Sequence, residues 1–310
     1  MSDFHLRTPV AFIIFNRPET TKKVFAEIAK AKPPKLLVIA DGPRANHPGE
    51  EEKCNAARSI INNVDWECEI LTNYSDVNMG CKRRVSSGLN WVFDIVEEAI
   101  ILEDDCLPHP TFFRFCDELL EKYRNDERIA MISGDNFQFG RKRTEYSYYF
   151  SRYPHIWGWA SWRRSWKKYD VDMKIWPEIK KNNWLQDILE NKKVVKHWTK
   201  KFDYVYDGKI DTWDTQWLFS RWINNELAIL PNVNLISNIG FGPNAMHTKY
   251  KTRISEMDIE PTRFPILHPP YVIRDRIADN YTEKNDFSGQ TIIHKLAKIL
   301  KANILTKNRL

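Results

Sequence analysis

The segment AIILEDD, residues 99 to 105, places four apolar residues directly before three carboxylic acids. Such an apolar run is typical of a strand buried on both faces, as in the middle of a parallel sheet. Open α/β sheets bind ligands at the carboxyl ends of their strands, where Glu103, Asp104 and Asp105 would lie. Three adjacent carboxylates repel one another, and a divalent metal shared with substrate phosphates relieves that cost. The segment therefore predicts an Mg²⁺ or Mn²⁺ site, with a solvated turn that caps the next helix as the alternative.

Apolar runs of this kind alternate with helical patterns along the chain, at short intervals. We therefore predict an α/β fold with a mostly parallel sheet flanked by helices. The predicted strands cover about 9–15, 35–40, 66–72, 99–102, 129–133, 227–230 and 234–237, and the predicted helices about 20–32, 50–62, 82–96, 110–123 and 212–225.

Polar side chains also follow the first two predicted strands. Asn16 and Arg17 follow the first, and Asp41 follows the second. Asp41 can accept hydrogen bonds from a nucleotide base or ribose, and Arg17 can pair with phosphate, although a plain turn is the alternative for each. No glycine-rich phosphate loop follows any strand, so a phosphate would be held by metal and cationic side chains. The run CKRR, residues 81 to 84, lies at a predicted helix start, where anions bind, or is a solvated helix end.

Tryptophan is concentrated in the second half of the chain, where most of the 12 lie between residues 157 and 222. Trp157, Trp159 and Trp162 alternate with small residues, which would allow a flat ligand or another backbone to approach closely. The pattern fits stacking of sugar rings, and it fits a tightly packed aromatic core equally well.

Two further places carry candidate catalytic groups. Asp211 and Asp214 flank Trp213 at a predicted helix start, where an acid can be a general base or a partner of the helix dipole. A glycine-bearing loop at 238–248 carries His247, which is either a ligand or a structural histidine.

The order of these motifs resembles that of the GT-A fold glycosyltransferases. ILEDDCLPHPTFF at 101–113 is similar to the metal-binding strand end of the inverting N-acetylglucosaminyltransferase I type and of related bacterial nucleotide-diphospho-sugar transferases. The resemblance spans about 8–250 and rests also on FIIFNRP (12–18), VIADGP (38–43), NMGCKRR (78–84), HIWGWASW (155–162), TWDTQW (212–217) and the NIGFG loop at 238–242 with His247-Thr248. It implies a GT-A (Rossmann-like) catalytic domain at 1–250, with a nucleotide-sugar half at 1–136 and an acceptor half at 137–250. Residues 251–310 would form an extension.

The resemblance also implies roles for the donor-side residues. Asp105 would bind Mn²⁺ or Mg²⁺, while Glu103 and Asp104 would contact the sugar and ribose. The remaining nucleotide and diphosphate contacts would come from Asn16, Arg17, Asp41 and Arg84.

On the acceptor side, Asp214 falls where the family keeps its catalytic base. The second acid of the family pattern is Thr215 here, so Asp211 remains a rival for that role. His247 matches a position that touches the metal or the diphosphate. The acceptor cleft would be shaped by Trp157, Trp159 and Trp162.

These features predict an inverting, metal-dependent hexosyl- or N-acetylhexosaminyltransferase of polysaccharide biosynthesis. It would move a sugar from a nucleotide diphosphate sugar, with UDP-sugars favoured, to a hydroxyl of a glycan or lipid-linked glycan. One alternative is a metal-dependent nucleotidyltransferase, which normally needs a glycine-rich activating loop where this chain has FNRPET. The other is a non-catalytic glycan- or nucleic-acid-binding protein. The net charge of +6 favours an anionic partner, but the chain contains no recognised nucleic-acid module, so no nucleic acid is expected.

The chain is predicted to be cytoplasmic. Its five cysteines are scattered without CxxC spacing, and we interpret them as reduced thiols. The amino terminus lacks the pattern of a signal peptide, and no apolar run reaches the length of a membrane span. Residues 291–310 form a basic amphipathic helical pattern, which suits either peripheral contact with the inner face of a membrane or a partner-binding helix.

Overall fold

A computed structural model describes residues 4–241, 254 and 257–288. The strands are β1 (Val10–Ile14), β2 (Lys35–Ala40), β3 (Glu69–Tyr74), β4 (Glu98–Glu103), β5 (Cys106–Pro108), β6 (Ile129–Ser133), β7 (Tyr148–Ser151), β8 (Trp159–Trp162), β9 (Leu227–Pro231) and β10 (Ile236–Asn238). The α-helices are α1 (Pro18–Ala31), α2 (Glu50–Ser59), α3 (Gly80–Ile95), α4 (Thr111–Tyr123), α5 (Arg163–Trp166), α6 (Trp176–Lys181), α7 (Leu185–Ile188), α8 (Lys192–Tyr206), α9 (Asp214–Ile223) and α10 (Arg276–Thr282). A 3₁₀ turn (Ile60–Asn63) follows α2, and a π-helical turn (Glu283–Phe287) follows α10.

An eight-stranded sheet in the order β3-β2-β1-β4-β8-β6-β9-β7 forms the centre of the molecule. Strands β1, β2, β3 and β4 are parallel, and β6 and β9 run in the same direction as these four. Strands β8 and β7 are antiparallel to their neighbours. The fold-class prediction is confirmed, since the protein is α/β with a mostly parallel sheet flanked by helices.

Helices cover both faces of this sheet. Side chains of β1 alternate between the two faces, as the pleat of a strand requires. Phe12 packs in a core with α1, α2 and α4, whereas Ile13 packs in a second core with α3 and α9. The carboxyl ends of β1, β2 and β4 therefore meet at one edge of the sheet, between the two helical layers.

Helix boundaries follow the local sequence. α1 begins at Pro18, whose missing amide hydrogen is not needed in a first helical turn. It ends at Lys32, which has a left-handed φ of 50°, directly before Pro33-Pro34. Because α1 begins at Pro18, the preceding residue Arg17 lies at the edge of the sheet where β1 and β4 end.

Residues 275–288 pack against β7 and α8. Asp279 accepts a hydrogen bond from the Ser151 hydroxyl at 2.5 Å, and Glu283 accepts one from Trp198 Nε1 at 3.0 Å. The predicted domain division at 250 stays a prediction. The predicted helix at 291–310 lies outside the described residues. Within the part of the chain that the structure describes, no helix is both long enough and apolar enough to cross a membrane.

Candidate active site

A cleft opens where β1 and β4 end, and we call it the central cleft. Its lining includes Arg17, Glu103, Asp105, Trp157, Asp214 and Phe241. Glu103 ends β4, while Asp214 begins α9, so the acids reach the cleft from two different elements. The structure thus brings the acid segment and the Trp-Asp segment to one place, although more than 100 residues separate them.

The three acids of the segment do not share one environment. Glu103 and Asp105 line the central cleft. Asp104 lies between them and points the other way, where it accepts a hydrogen bond from the Phe15 amide at 3.2 Å and is only 2% exposed. Strand β4 ends at Glu103, and the turn at 104–105 directs Asp104 toward the end of β1. Asp104 therefore joins β4 to the end of β1, and its predicted contact with a sugar or ribose stays a prediction.

Arg17 links the two aspartates of the segment. Its guanidinium contacts Asp104 and also lies 2.8 Å from Asp105, Nη1 to Oδ2. Burial alone would lower the pKa of Arg17, but Asp104 and Asp105 raise it above its ordinary value. Arg17 consequently stays charged and neutralises part of the acid cluster.

The negative charge of Glu103 is balanced less well by nearby positive charge. Burial raises the pKa of Glu103 above its ordinary value, and the negative charge of Asp105 raises it further, while Arg17 opposes both effects. Burial likewise raises the pKa of Asp104, although Arg17 opposes the shift. Burial and the neighbouring acids therefore favour a protonated Glu103, and a bound cation would favour the ionised form.

This shift predicts how stability depends on pH. The pKa of Glu103 is higher in the folded than in the unfolded protein, so folding favours the protonated carboxyl. The resulting contribution to the free energy of unfolding is fully present below the ordinary pKa of 4.5 and is lost as pH rises through the folded-state pKa. Replacing Glu103 with glutamine should remove that loss. Thermal unfolding without metal at about pH 5 and about pH 8 should show a drop in stability on the order of 2 kcal/mol in the wild type and a smaller drop in Glu103→Gln. An equal drop in both proteins would contradict the assignment.

The chemistry of this cleft fits a divalent cation that shares its ligands with a substrate. Glu103 and Asp105 present carboxylate oxygens, the ligands that Mg²⁺ and Mn²⁺ prefer. Among the residues at 4–241, 254 and 257–288, no group of three or more His, Cys, Asp or Glu side chains could hold a metal by itself. An ion here would take its other ligands from phosphate oxygens and water. His247, the other predicted metal ligand, lies outside the described residues.

Asp214 and Asp211 occupy different positions. Oδ1 of Asp214 accepts hydrogen bonds from the Thr212 hydroxyl and, at 2.8 Å, from the Thr215 amide. None of the hydrogen bonds described for 4–241 and 257–288 goes to its Oδ2. The exposed Asp211 instead accepts bonds from the Cys81 and Lys82 amides at 3.0 and 3.3 Å, in the first turn of α3. Asp214 therefore faces the cleft with one oxygen available, whereas Asp211 caps a helix.

Asp41 also binds the start of α3. Its carboxylate accepts hydrogen bonds from the amides of Gly42, Met79 and Gly80 at 2.9, 2.9 and 3.2 Å. Asn78 Nδ2 donates a fourth bond at 3.0 Å. These bonds occupy both oxygens of the buried side chain, and a nucleotide contact at Asp41 stays a prediction.

The two remaining residues with predicted donor contacts, Asn16 and Arg84, are not among those that line the central cleft. Asn16 Nδ2 donates to Glu50 Oε1 at 2.8 Å, and Asn16 borders a neighbouring cleft on the α1 and α2 side. Arg84 is buried and donates from Nη2 to Asn73 Oδ1 at 2.6 Å, near the end of β3. Their predicted contacts with the donor stay predictions.

The tryptophan prediction needs a correction. Trp157 lines the central cleft, but Trp159 is 0% exposed and Trp162 is 2% exposed. The reason is that both belong to β8, a strand in the middle of the sheet whose two faces are covered by helices. Trp159 stacks on Trp213 with ring centroids 5.7 Å apart, so it supports the cleft from behind.

Sequence reasoning missed two residues that shape the cleft. The ring of Phe241 meets Trp157 edge to face, with centroids 5.8 Å apart. At Gly240, a Cβ would lie 2.2 Å from Asp105 Oδ2, so only glycine allows this backbone to approach the acid. Both belong to the NIGFG loop, whose glycines were the available signal.

Comparison with known proteins adds little to this description. No protein-family model and no curated protein matches the chain. One similar solved structure is the 4-diphosphocytidyl-2C-methyl-D-erythritol synthase of Anaerococcus prevotii DSM 20548. The match has a TM-score of 0.33 and 10% sequence identity, and it covers 53% of this chain and 75% of that chain. A likeness of this strength carries no weight for function, which depends here on the residues of the cleft.

Proposed function

We propose that this protein is an inverting, metal-dependent glycosyltransferase that uses a nucleotide diphosphate sugar, with UDP-sugars favoured. The acceptor would be a hydroxyl of a glycan or lipid-linked glycan, and the transferred group a hexose or N-acetylhexosamine. One observation carries the proposal. A single cleft has two carboxylates and an arginine on one wall and, on another, an aspartate whose Oδ2 accepts no hydrogen bond within 4–241 and 257–288.

The first wall suits the diphosphate. Asp105 and Glu103 would hold Mn²⁺ or Mg²⁺, and Arg17 would pair with a phosphate oxygen. When bound, the ion neutralises the charge that develops on the departing diphosphate. The arginine adds a bidentate donor with the same effect.

The second wall suits the acceptor. Thr212 and the Thr215 amide hold Oδ1 of Asp214, which leaves Oδ2 to take the proton of the acceptor hydroxyl. The hydroxyl oxygen then forms a bond to the anomeric carbon as the bond from that carbon to the diphosphate oxygen breaks. Attack from the face opposite the diphosphate inverts the configuration, and the proton remains on Asp214.

The test is a panel of UDP-, GDP-, CMP- and dTDP-sugars, each with and without Mn²⁺. We expect one family of donors to raise the melting temperature of the protein in the presence of Mn²⁺, and to be hydrolysed slowly or transferred to an added glycan. The rival nucleotidyltransferase would instead release pyrophosphate from a nucleoside triphosphate and a sugar phosphate. Pyrophosphate release without any turnover of nucleotide sugars would replace the proposal with that rival.

Trp157 offers a separate test of the acceptor side. Replacing Trp157 with alanine should raise the KM for the acceptor about tenfold, because stacking on an aromatic ring contributes about 1 kcal/mol or more. The KM for the donor should change little. Trp184→Ala is the matched control, since Trp184 is 42% exposed and does not line the central cleft. An unchanged acceptor KM in Trp157→Ala would place the acceptor elsewhere.

A further inference from the structure

Arg17 occupies the place where a cation would approach Asp105. Its Nη1 lies 2.8 Å from Asp105 Oδ2, and its other terminal nitrogen contacts Asp104. The side chains of Arg17 and Asp105 are 23% and 14% exposed, so little water screens the pair. A divalent ion on the same carboxylate would lie within a few ångströms of the guanidinium, and the two positive charges would repel each other.

We infer that Arg17 is an internal counter-ion that competes with the divalent ion for Asp105, so that the metal binds weakly until phosphate draws Arg17 away. The inference rests on the proposed function, because it takes the metal site as given. It adds an order of binding. The metal and the donor phosphates bind together, and the protein without donor binds the metal only weakly.

The surroundings provide a place for the released side chain. Arg17 also borders the neighbouring cleft, which is lined on its far side by Arg44, His47 and Lys53. Glu50 also lines this cleft and pairs with Arg44, so a phosphate that enters here would meet Lys53 and share Arg44 with Glu50. The planar guanidinium of Arg17 suits bidentate contact with such a phosphate. The two clefts share Arg17, Gly240 and Phe241, so the arginine can turn from one to the other.

The Gly240 backbone covers the present ion pair. A Cβ at Gly240 would lie 2.2 Å from Asp105 Oδ2 and 2.7 Å from Arg17 Nη1. The preceding amide, that of Ile239, donates to the Asp105 carbonyl at 2.8 Å. If a metal ion replaces Arg17 at Asp105, the backbone at 239–241 must therefore adjust. That adjustment would also move Phe241, which lines the central cleft.

The experiment measures Mn²⁺ binding without nucleotide, from the electron paramagnetic resonance signal of free Mn²⁺. Arg17→Met should bind Mn²⁺ about tenfold more tightly than the wild type, or better, because a nearby positive charge is gone. Mn²⁺ should also raise the melting temperature of Arg17→Met more than that of the wild type.

Arg7→Met is the matched control. Arg7 donates from Nε and Nη2 to the buried Asp117 at 3.2 and 3.1 Å, so this change also removes an arginine from a buried aspartate. Neither Arg7 nor Asp117 lines the central cleft. Arg7→Met should bind Mn²⁺ as the wild type does.

The outcomes separate the inference from the proposed function. If the wild type binds Mn²⁺ with UDP and Arg17→Met shows no gain without UDP, the inference is wrong and the glycosyltransferase proposal stands. If no variant binds Mn²⁺ even with UDP, both are wrong. Should Arg17→Met fail to fold, Arg17→Gln also removes the charge but keeps a side-chain N–H donor for the carboxylates. A partial gain in Mn²⁺ affinity there supports the inference, and no gain overturns it.

Discussion

Replacing Asp105 with asparagine is expected to lower turnover about 10³-fold or more, because a metal ligand contributes several kcal/mol to stabilisation of the developing charge. Asparagine has nearly the same shape, so the carbonyl hydrogen bond from the Ile239 amide should persist. The measurement is kcat with saturating donor and Mn²⁺. Added Mn²⁺ should no longer raise the melting temperature of the variant.

A matched variant is needed because Asp105→Asn also weakens the pair with Arg17. Asp117→Asn removes the charge of a buried aspartate that pairs with Arg7 and accepts a hydrogen bond from the Thr8 amide at 3.0 Å. It should lose stability while each folded molecule keeps wild-type kcat. If Asp105→Asn retained both turnover and its dependence on Mn²⁺, the ion would be held elsewhere.

The sequence predicted which polar residues would follow the central strands, for a physical reason. Apolar runs mark the buried strands β1, β2 and β4, and parallel strands bring their carboxyl ends to one edge. The polar residues directly after each run therefore had to lie near one another. Asp104 and Asp105 lie in the turn after β4, and sequence alone did not say which of the three acids faces the cleft.

The second half of the sheet could not be predicted in the same way. WASW at β8 is apolar on both faces because it lies between β4 and β6, and nothing local indicates that it runs antiparallel to them. Without that placement, Trp159 and Trp162 were equally compatible with a ligand surface. Their burial depends on contacts with α4 and α9, far away in sequence.

The choice between Asp211 and Asp214 was open for a similar reason. Both acids lie near the start of a helix, where an acid is favourable whatever its function. The contact of Asp211 with the Cys81 and Lys82 amides spans about 130 residues, and no local pattern reports it. Once that contact is known, Asp211 has a structural role, and Asp214 is the acid whose Oδ2 accepts no hydrogen bond in the described part of the chain.

Replacing Asp214 with asparagine should therefore lower kcat about 10²- to 10⁴-fold, the usual contribution of a positioned base. The amide can still accept the Thr215 hydrogen bond through Oδ1, so the start of α9 should remain intact. Donor affinity, measured by titration with UDP-sugar and Mn²⁺, should stay close to that of the wild type.

Asp211→Asn is the informative comparison for this prediction. It weakens a cap on α3 and should cost about 1 kcal/mol of stability, while kcat stays within a few-fold of the wild type. The opposite pattern, with a large loss of kcat in Asp211→Asn and none in Asp214→Asn, would transfer the role of base to Asp211. Such a transfer would require α3 to release its cap when the acceptor binds, because both Asp211 oxygens now accept amides of that helix.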